Sequence, residues 1–241
     1  MLYIFLMKIT KYYSPNYDLK PRSNKRITAI IIHYTGMQSE RESLARLMSK
    51  KHKVSSHYLI NRKGQIFNLV KEKNVAWHAG KSMWGKYKNL NKNSIGIELV
   101  NKGHKFGYQS FTKFQIKMLI HLCKKLKRKY KIKNKFILGH SDIAPIRKID
   151  PGEKFPWAYL SSKGVGNYPK KTIFNNLKNR SVKKPDIKGF FNNLDKIGYR
   201  YLKKKFRRKI IKNFQRRYRQ KKVDGILDLE TIKISEFMSK R

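Results

Sequence analysis

Cysteine is almost absent: Cys123 is the only one in 241 residues. No intrachain disulfide can form, and a Cys-rich zinc site is excluded. Acidic side chains are also scarce, with 14 Asp and Glu against 59 Lys and Arg, a formal net charge of +45. Long apolar runs are missing, and no stretch is long enough to span a membrane. The run from Leu2 to Met7 is too short for a signal-peptide core and lacks a basic leader and a small-residue cleavage site. The expectation is therefore a cytoplasmic protein, with a periplasmic or outer-membrane-associated one as the alternative. No recognition helix, zinc finger or RNA-binding signature accompanies the charge, so no specific nucleic-acid partner is expected.

What is present is enough to fold. Hydrophobic residues make up 39% of the chain and aromatics 12%, above the range of disordered segments. The length suits one substantial core and a smaller second domain. The charge has two readings. One is a polyanionic partner; the other is an A+T-rich genome, which favours Lys, Asn, Ile, Tyr and Phe codons together. All five are abundant and the lysines are spread along the whole chain, which favours the second reading. Attraction to anionic polymers follows either way.

Arg26 to Tyr34 (RITAIIIHY) is a continuous apolar run bounded by charge, the pattern of a buried central strand. His33 lies at its end, where it either faces a cleft or sits as a hydrogen-bonded core histidine. Ser39 to Ser49 reads as a helix with a Ser39–Glu42 capping box. His52 to Val70 reads as a hairpin turning at Asn61–Gly64, with His57 structural. Lys71 to Asn93 is irregular. Its Trp77, His78 and Trp84 suit stacking on a sugar or a lid, or else they plug the edge of the core.

Ser94 to Asn101 (SIGIELVN) is a second buried strand. Ile95, Ile97 and Leu99 share one face, while Gly96 and Glu98 take the other. A lone carboxylate in an apolar strand is costly to bury without a partner. Turned toward a metal or water, Glu98 becomes a proton-transfer candidate, and Gly96 leaves room for a ligand. Thr112 to Tyr130 is an amphipathic helix with a Thr112–Gln115 capping box. Its expected stripe is Phe114, Met118, Leu122 and Leu126, with Leu119 and with Cys123 as a packing residue. Lys135 to Gly139 is a third strand that delivers His140.

From Gly139 to Trp157 (GHSDIAPIRKIDPGEKFPW) the chain is irregular. Pro145, Pro151 and Pro156 each remove a backbone donor. A loop dense in metal-ligand and acid–base side chains is a natural place for a site. Strands interleaved with helices indicate an α/β fold with a central mixed sheet flanked by helices. Side chains at the strand ends of such sheets converge on one cleft. If the fold brings them together, His33, His140 and Asp150 make a three-ligand set that leaves a fourth zinc position for water. Glu98 would then act as general base. Lys148, two residues before Asp150, would aim a positive charge at the developing oxyanion.

Five separated stretches carry a resemblance: HYTGM, SSHYLINRKGQIFNLV, AWHAGKSMW, SIGIELVN and GHSDIAPIRKIDPG. Together, across residues 8–165, they are similar to the zinc-dependent N-acetylmuramoyl-L-alanine amidases of the AmpD/AmiD type, whose fold is shared with peptidoglycan recognition proteins. The resemblance implies hydrolysis of the amide between the lactyl group of N-acetylmuramic acid and L-alanine, in peptidoglycan or muropeptides. It places Zn2+ on His33, His140 and Asp150, catalysis on Glu98 and Lys148, and substrate contacts on Trp77, His78 and Trp84. A receptor of the same fold that binds peptidoglycan without cutting it has no use for Glu98 or Lys148. Residues 1–165 are thus expected to be the catalytic domain and 166–185 a linker. Residues 186–241 are expected to form a small three-helix unit that resembles a peptidoglycan-binding domain through FQRRY and VDGILDLET. A monomer is expected.

Overall fold

The apolar runs AIIIHY and SIGIEL lie side by side at the centre of one sheet. Ile30, Ile31 and Ile32 in the first and Ile95 and Ile97 in the second are β-branched, and such side chains suit a pleated surface packed on both faces. The computed structural model describes residues 9–169 and 180–241. The Leu2–Met7 run and linker positions 170–179 lie outside the described residues.

In chain order the elements begin with β1 (Ile9–Lys11), β2 (Tyr17–Asp18), β3 (Ala29–Tyr34) and α1 (Glu40–Met48). The hairpin β4 (Tyr58–Ile60) and β5 (Ile66–Asn68) follows, then three two-residue strands, β6 (Val75–Ala76), β7 (Met83–Trp84) and β8 (Tyr87–Lys88). Next come β9 (Ser94–Leu99), α2 (Lys113–Tyr130), β10 (Ile137–Gly139), the single turn α3 (His140–Ile143) and α4 (Trp157–Ser162). The chain closes with α5 (Ile187–Ile197), α6 (Arg207–Tyr218) and α7 (Leu229–Ser239).

The main sheet runs β1-β5-β4-β9-β3-β10. Its strand pairs are parallel except β4 with β5, so the sheet is mixed, as expected. One face, carrying Ile30, Ile32, Ile95, Ile97 and Leu99, packs under α2. The other carries Ala29, Ile31 and Leu138 and shares one apolar cluster with Phe190, Leu194, Ile210 and Phe214 of the C-terminal helices. The core of the three-helix unit is therefore continuous with the back of the sheet.

Helix α2 departs from its expected register. Phe114 is 65% exposed, and the buried stripe is Ile116, Leu119, Ile120, Leu122, Cys123 and Leu126. Thr112 Oγ1 accepts from the Gln115 amide as a cap should. The Gln115 side chain does not close a box. It is fully buried and its Nε2 donates to the Ile60 and Val100 carbonyls, which anchors the helix to the sheet and turns Phe114 outward. Cys123 is buried, in the packing role expected of it. No helix among the described residues is long and apolar enough to cross a membrane.

Candidate metal centre and catalytic cleft

Parallel pairing of β3 with β9 sets Glu98 opposite His33 in register. Parallel pairing of β10 with β3 sets Gly139 opposite Ile32, so His140 emerges beside His33. Three residues distant in sequence are thus placed at one edge by strand order alone. The loop after α3 then folds back, and the Ser141 amide donates to the Asp150 carbonyl at 2.9 Å.

The result is a tight triangle. His33 Nδ1 lies 3.0 Å from His140 Nδ1, and each lies 3.1 Å from Asp150 Oδ2. Among the described residues this is the one group of three or more His, Cys, Asp or Glu whose donor atoms, within 4.8 Å of one another, are placed to share an ion. A tetrahedral ion with ligands at about 2.0–2.1 Å sets its donors roughly 3.3 Å apart, so the spacing fits.

The outer hydrogen bonds fix which ring nitrogens face inward. His140 Nε2 donates to the Ala79 carbonyl at 3.1 Å, which frees its Nδ1 lone pair. His33 Nε2 donates to His78 Nδ1 at 3.1 Å, His78 Nε2 faces Ser94 Oγ, and Ser94 Oγ donates to the Leu90 carbonyl. This relay leaves His33 Nδ1 unprotonated toward the triangle, the outer-partner arrangement that orients metal-ligating histidines. Burial, with His140 alongside, lowers His33 to about 4, so its ring is neutral at physiological pH. Burial opposes the charge on Asp150, but His140 and His33 hold its carboxyl below the usual range.

Glu98 stands apart from the triangle. Its Oε2 is sealed from solvent and has no hydrogen-bond partner. Burial, reinforced by Asp150 and partly offset by Lys148, raises its carboxyl from 4.5 to about 8. In metal-free protein the folded state therefore holds a proton that the unfolded state releases between about pH 4.5 and 8. Stability from this group is full below that window and is lost as pH rises through it. Urea unfolding of metal-free wild type and Glu98→Gln should show the wild type losing stability relative to the variant between pH 5 and 8.5. A pH-independent difference would contradict the assignment.

The triangle and Glu98 line an open cavity of about 470 Å³ with Lys148 and Trp77. Arg46, Lys105 and Arg147 add positive charge to its wall. Trp77 is held by its Nε1 donating to Asp18 at 2.7 Å.

Three sequence expectations are corrected. Trp84 is buried and does not line this cavity. It packs edge-on to Tyr199 with ring centroids 4.9 Å apart and plugs the seam to the C-terminal helices. His78 reaches the cavity but is 8% exposed and spent as the partner of His33. The space beside Gly96 is filled by that ring, since a Cβ there would lie 2.4 Å from His78 Cγ. His57 is structural, as expected, fully buried against Arg22.

Sequence reasoning missed the supports of the 139–152 loop. Gly139 N–H donates to Asp142 at 2.7 Å, Tyr108 Oη donates to the Pro151 carbonyl at 2.6 Å, and Asn213 reaches the carbonyls of Pro145 and Lys148. Only Asn213 left a signal: with Ile210, Phe214 and Arg217 it falls on one helical stripe.

A mixed sheet that brings two histidines, an aspartate and an unpartnered glutamate to one cleft gives the architecture of a hydrolase with a candidate metal centre. Residues 23–153 match the N-acetylmuramoyl-L-alanine amidase family, and the chain belongs to it. It is 39% identical over 228 residues to N-acetylmuramoyl-L-alanine amidase AmiD of Escherichia coli K12, an alignment covering 88% of this chain and 82% of AmiD. The solved complex of E. coli AmiD with the substrate anhydro-N-acetylmuramic acid-L-Ala-D-γ-Glu-L-Lys superposes with a TM-score of 0.78 at 36% identity, over 91% of this chain and 90% of that one. AmpDH3 of Pseudomonas aeruginosa, solved with anhydromuramic pentapeptide, gives 0.78 at 30% identity, over 92% and 94%.

Proposed function

We propose that this enzyme hydrolyses the amide between the lactyl carbonyl of N-acetylmuramic acid and L-alanine in peptidoglycan or muropeptides, for wall turnover or recycling, and that it does so with zinc. The observation that carries the proposal is the convergence of His33 Nδ1, His140 Nδ1 and Asp150 Oδ2 within 3.1 Å, beside an unpartnered Glu98, in a chain of this family.

His33, His140 and Asp150 would hold the ion, and a set of two imidazole nitrogens and one carboxylate oxygen suits zinc. Bound there, zinc supplies a Lewis acid and a water of lowered pKa. The protein's own groups do the rest. Glu98 takes the proton from the attacking water and returns it to the departing L-alanine nitrogen. Burial raises the Glu98 carboxyl to about 8, close enough to neutral pH for it both to take and to return that proton. Lys148 lines the same cavity and sets a fixed positive charge against the carbonyl oxygen as it becomes an oxyanion. The cations Arg46, Lys105 and Arg147 suit a substrate whose stem peptide carries carboxylates.

Product analysis tests this reading. Incubated with anhydro-N-acetylmuramic acid-L-Ala-D-γ-Glu-L-Lys, the enzyme should release a tripeptide with a free L-alanine amino group. Cleavage at any other bond would overturn it.

A further inference from the structure

We infer that Asn213, on the C-terminal helix α6, is a positioning residue for Lys148, so that the C-terminal helices complete the active site from behind. The inference rests on the proposed role of Lys148. A primary amide is costly to bury unless its groups are paired, and Asn213 is fully buried. Its Nδ2 spends both hydrogens on the active-site loop, donating to the Pro145 carbonyl at 2.6 Å and to the Lys148 carbonyl at 2.8 Å. Its Oδ1 accepts from Arg216 at 2.8 Å, and Arg216 in turn pairs with Glu153 at 3.2 Å.

The loop has few internal ties of its own at this point. The amides of Arg147 and Lys148 both return to the Ala144 carbonyl, closing a turn whose two outward carbonyls are those Asn213 holds. With that turn fixed at both ends, the Lys148 side chain leaves a defined point toward the cavity it lines. A free turn would let its ammonium wander, and misplacement by about 1 Å at a reacting centre can cost roughly a hundredfold.

One helical turn further along the same face, Arg217 performs the matching task for His140. Arg217 Nη1 pairs with Asp142 at 3.3 Å and Nη2 donates to the Ile137 carbonyl at 3.0 Å. Tyr199, which precedes α6, donates to the other oxygen of Asp142 at 2.7 Å. Asp142 in turn accepts from the Gly139 amide where the His140 turn begins. Both ends of the loop that carries His140, Lys148 and Asp150 are thus held by the C-terminal helices.

The test is a double-mutant cycle in the full-length, zinc-loaded protein with anhydromuramoyl-L-alanyl peptide. Asn213→Ala should lower kcat between about tenfold and a hundredfold with KM unchanged. Zinc should stay at one ion per chain. In the Lys148→Ala background the same substitution should change kcat less than about twofold, because its route of action is gone. An equal loss in both backgrounds, or no loss in the first, would overturn the inference. Lys148→Ala with full activity would instead remove the role of Lys148, and this inference with it. Asn213→Ser, which keeps one donor, runs the same cycle if the alanine variant does not fold.

Discussion

Glu98→Gln is expected to lower kcat for muramoyl-L-alanine cleavage by about 10²–10⁴-fold, the usual contribution of a positioned general base. Zinc content should be unchanged, because the group placed to hold an ion, His33, His140 and Asp150, does not include Glu98. Glutamine keeps the size and the side-chain oxygen but cannot carry a proton between water and leaving nitrogen. The register of β3 and β9 leaves no substitute in place: the residue opposite His33 is Glu98, and its neighbours on that face are Gly96 and the ring of His78. Burial and the neighbouring histidines lower His78 well below the ordinary histidine range, so it does not offer a second acid at neutral pH. A Glu98→Gln enzyme with activity within a few-fold of wild type would remove the proton-transfer assignment.

Asp150→Ala should abolish both metal retention and turnover. Asp150 brings the one negative charge of the set, at 3.1 Å from both ring nitrogens. Without it a dication would meet only two imidazole nitrogens, on rings held by fixed outer bonds to His78 and Ala79. Loss of an outer partner typically costs 10–100-fold in metal affinity, and loss of a ligand itself should exceed that. Elemental analysis after dialysis should find less than a tenth of an ion per chain, on the order set by such a loss. Stoichiometric zinc in an active Asp150→Ala protein would contradict the ligand assignment.

The periodicity of β9 was enough to separate Ile95, Ile97 and Leu99 from Gly96 and Glu98, and both faces are occupied accordingly. The strand ends of Ala29–Tyr34 and Ile137–Gly139 placed His33 and His140 correctly, because parallel neighbours must deliver their ends to one edge. The occupant of the space beside Gly96 was not legible. A glycine opposite a cleft makes room for a ligand or a side chain alike, and only the tertiary fold put His78 there. Trp84 failed for the same reason: an indole on a glycine-containing loop serves a sugar or a seam equally well. Phe114 lies next to the true stripe of α2, and the Gln115 bonds to Ile60 and Val100 decide the rotation. Asn213 and Arg217 are visible as polar residues on a buried face, but their partners lie 65 to 80 residues away in sequence.

The most direct test of zinc hydrolysis is turnover of anhydromuramoyl-L-alanyl peptide by protein stripped of metal, verified by elemental analysis, and then titrated with Zn2+. The stripped protein should release no free L-alanine amino terminus, and activity should rise linearly to a plateau at one zinc per chain. Full turnover in verified metal-free protein would contradict the account.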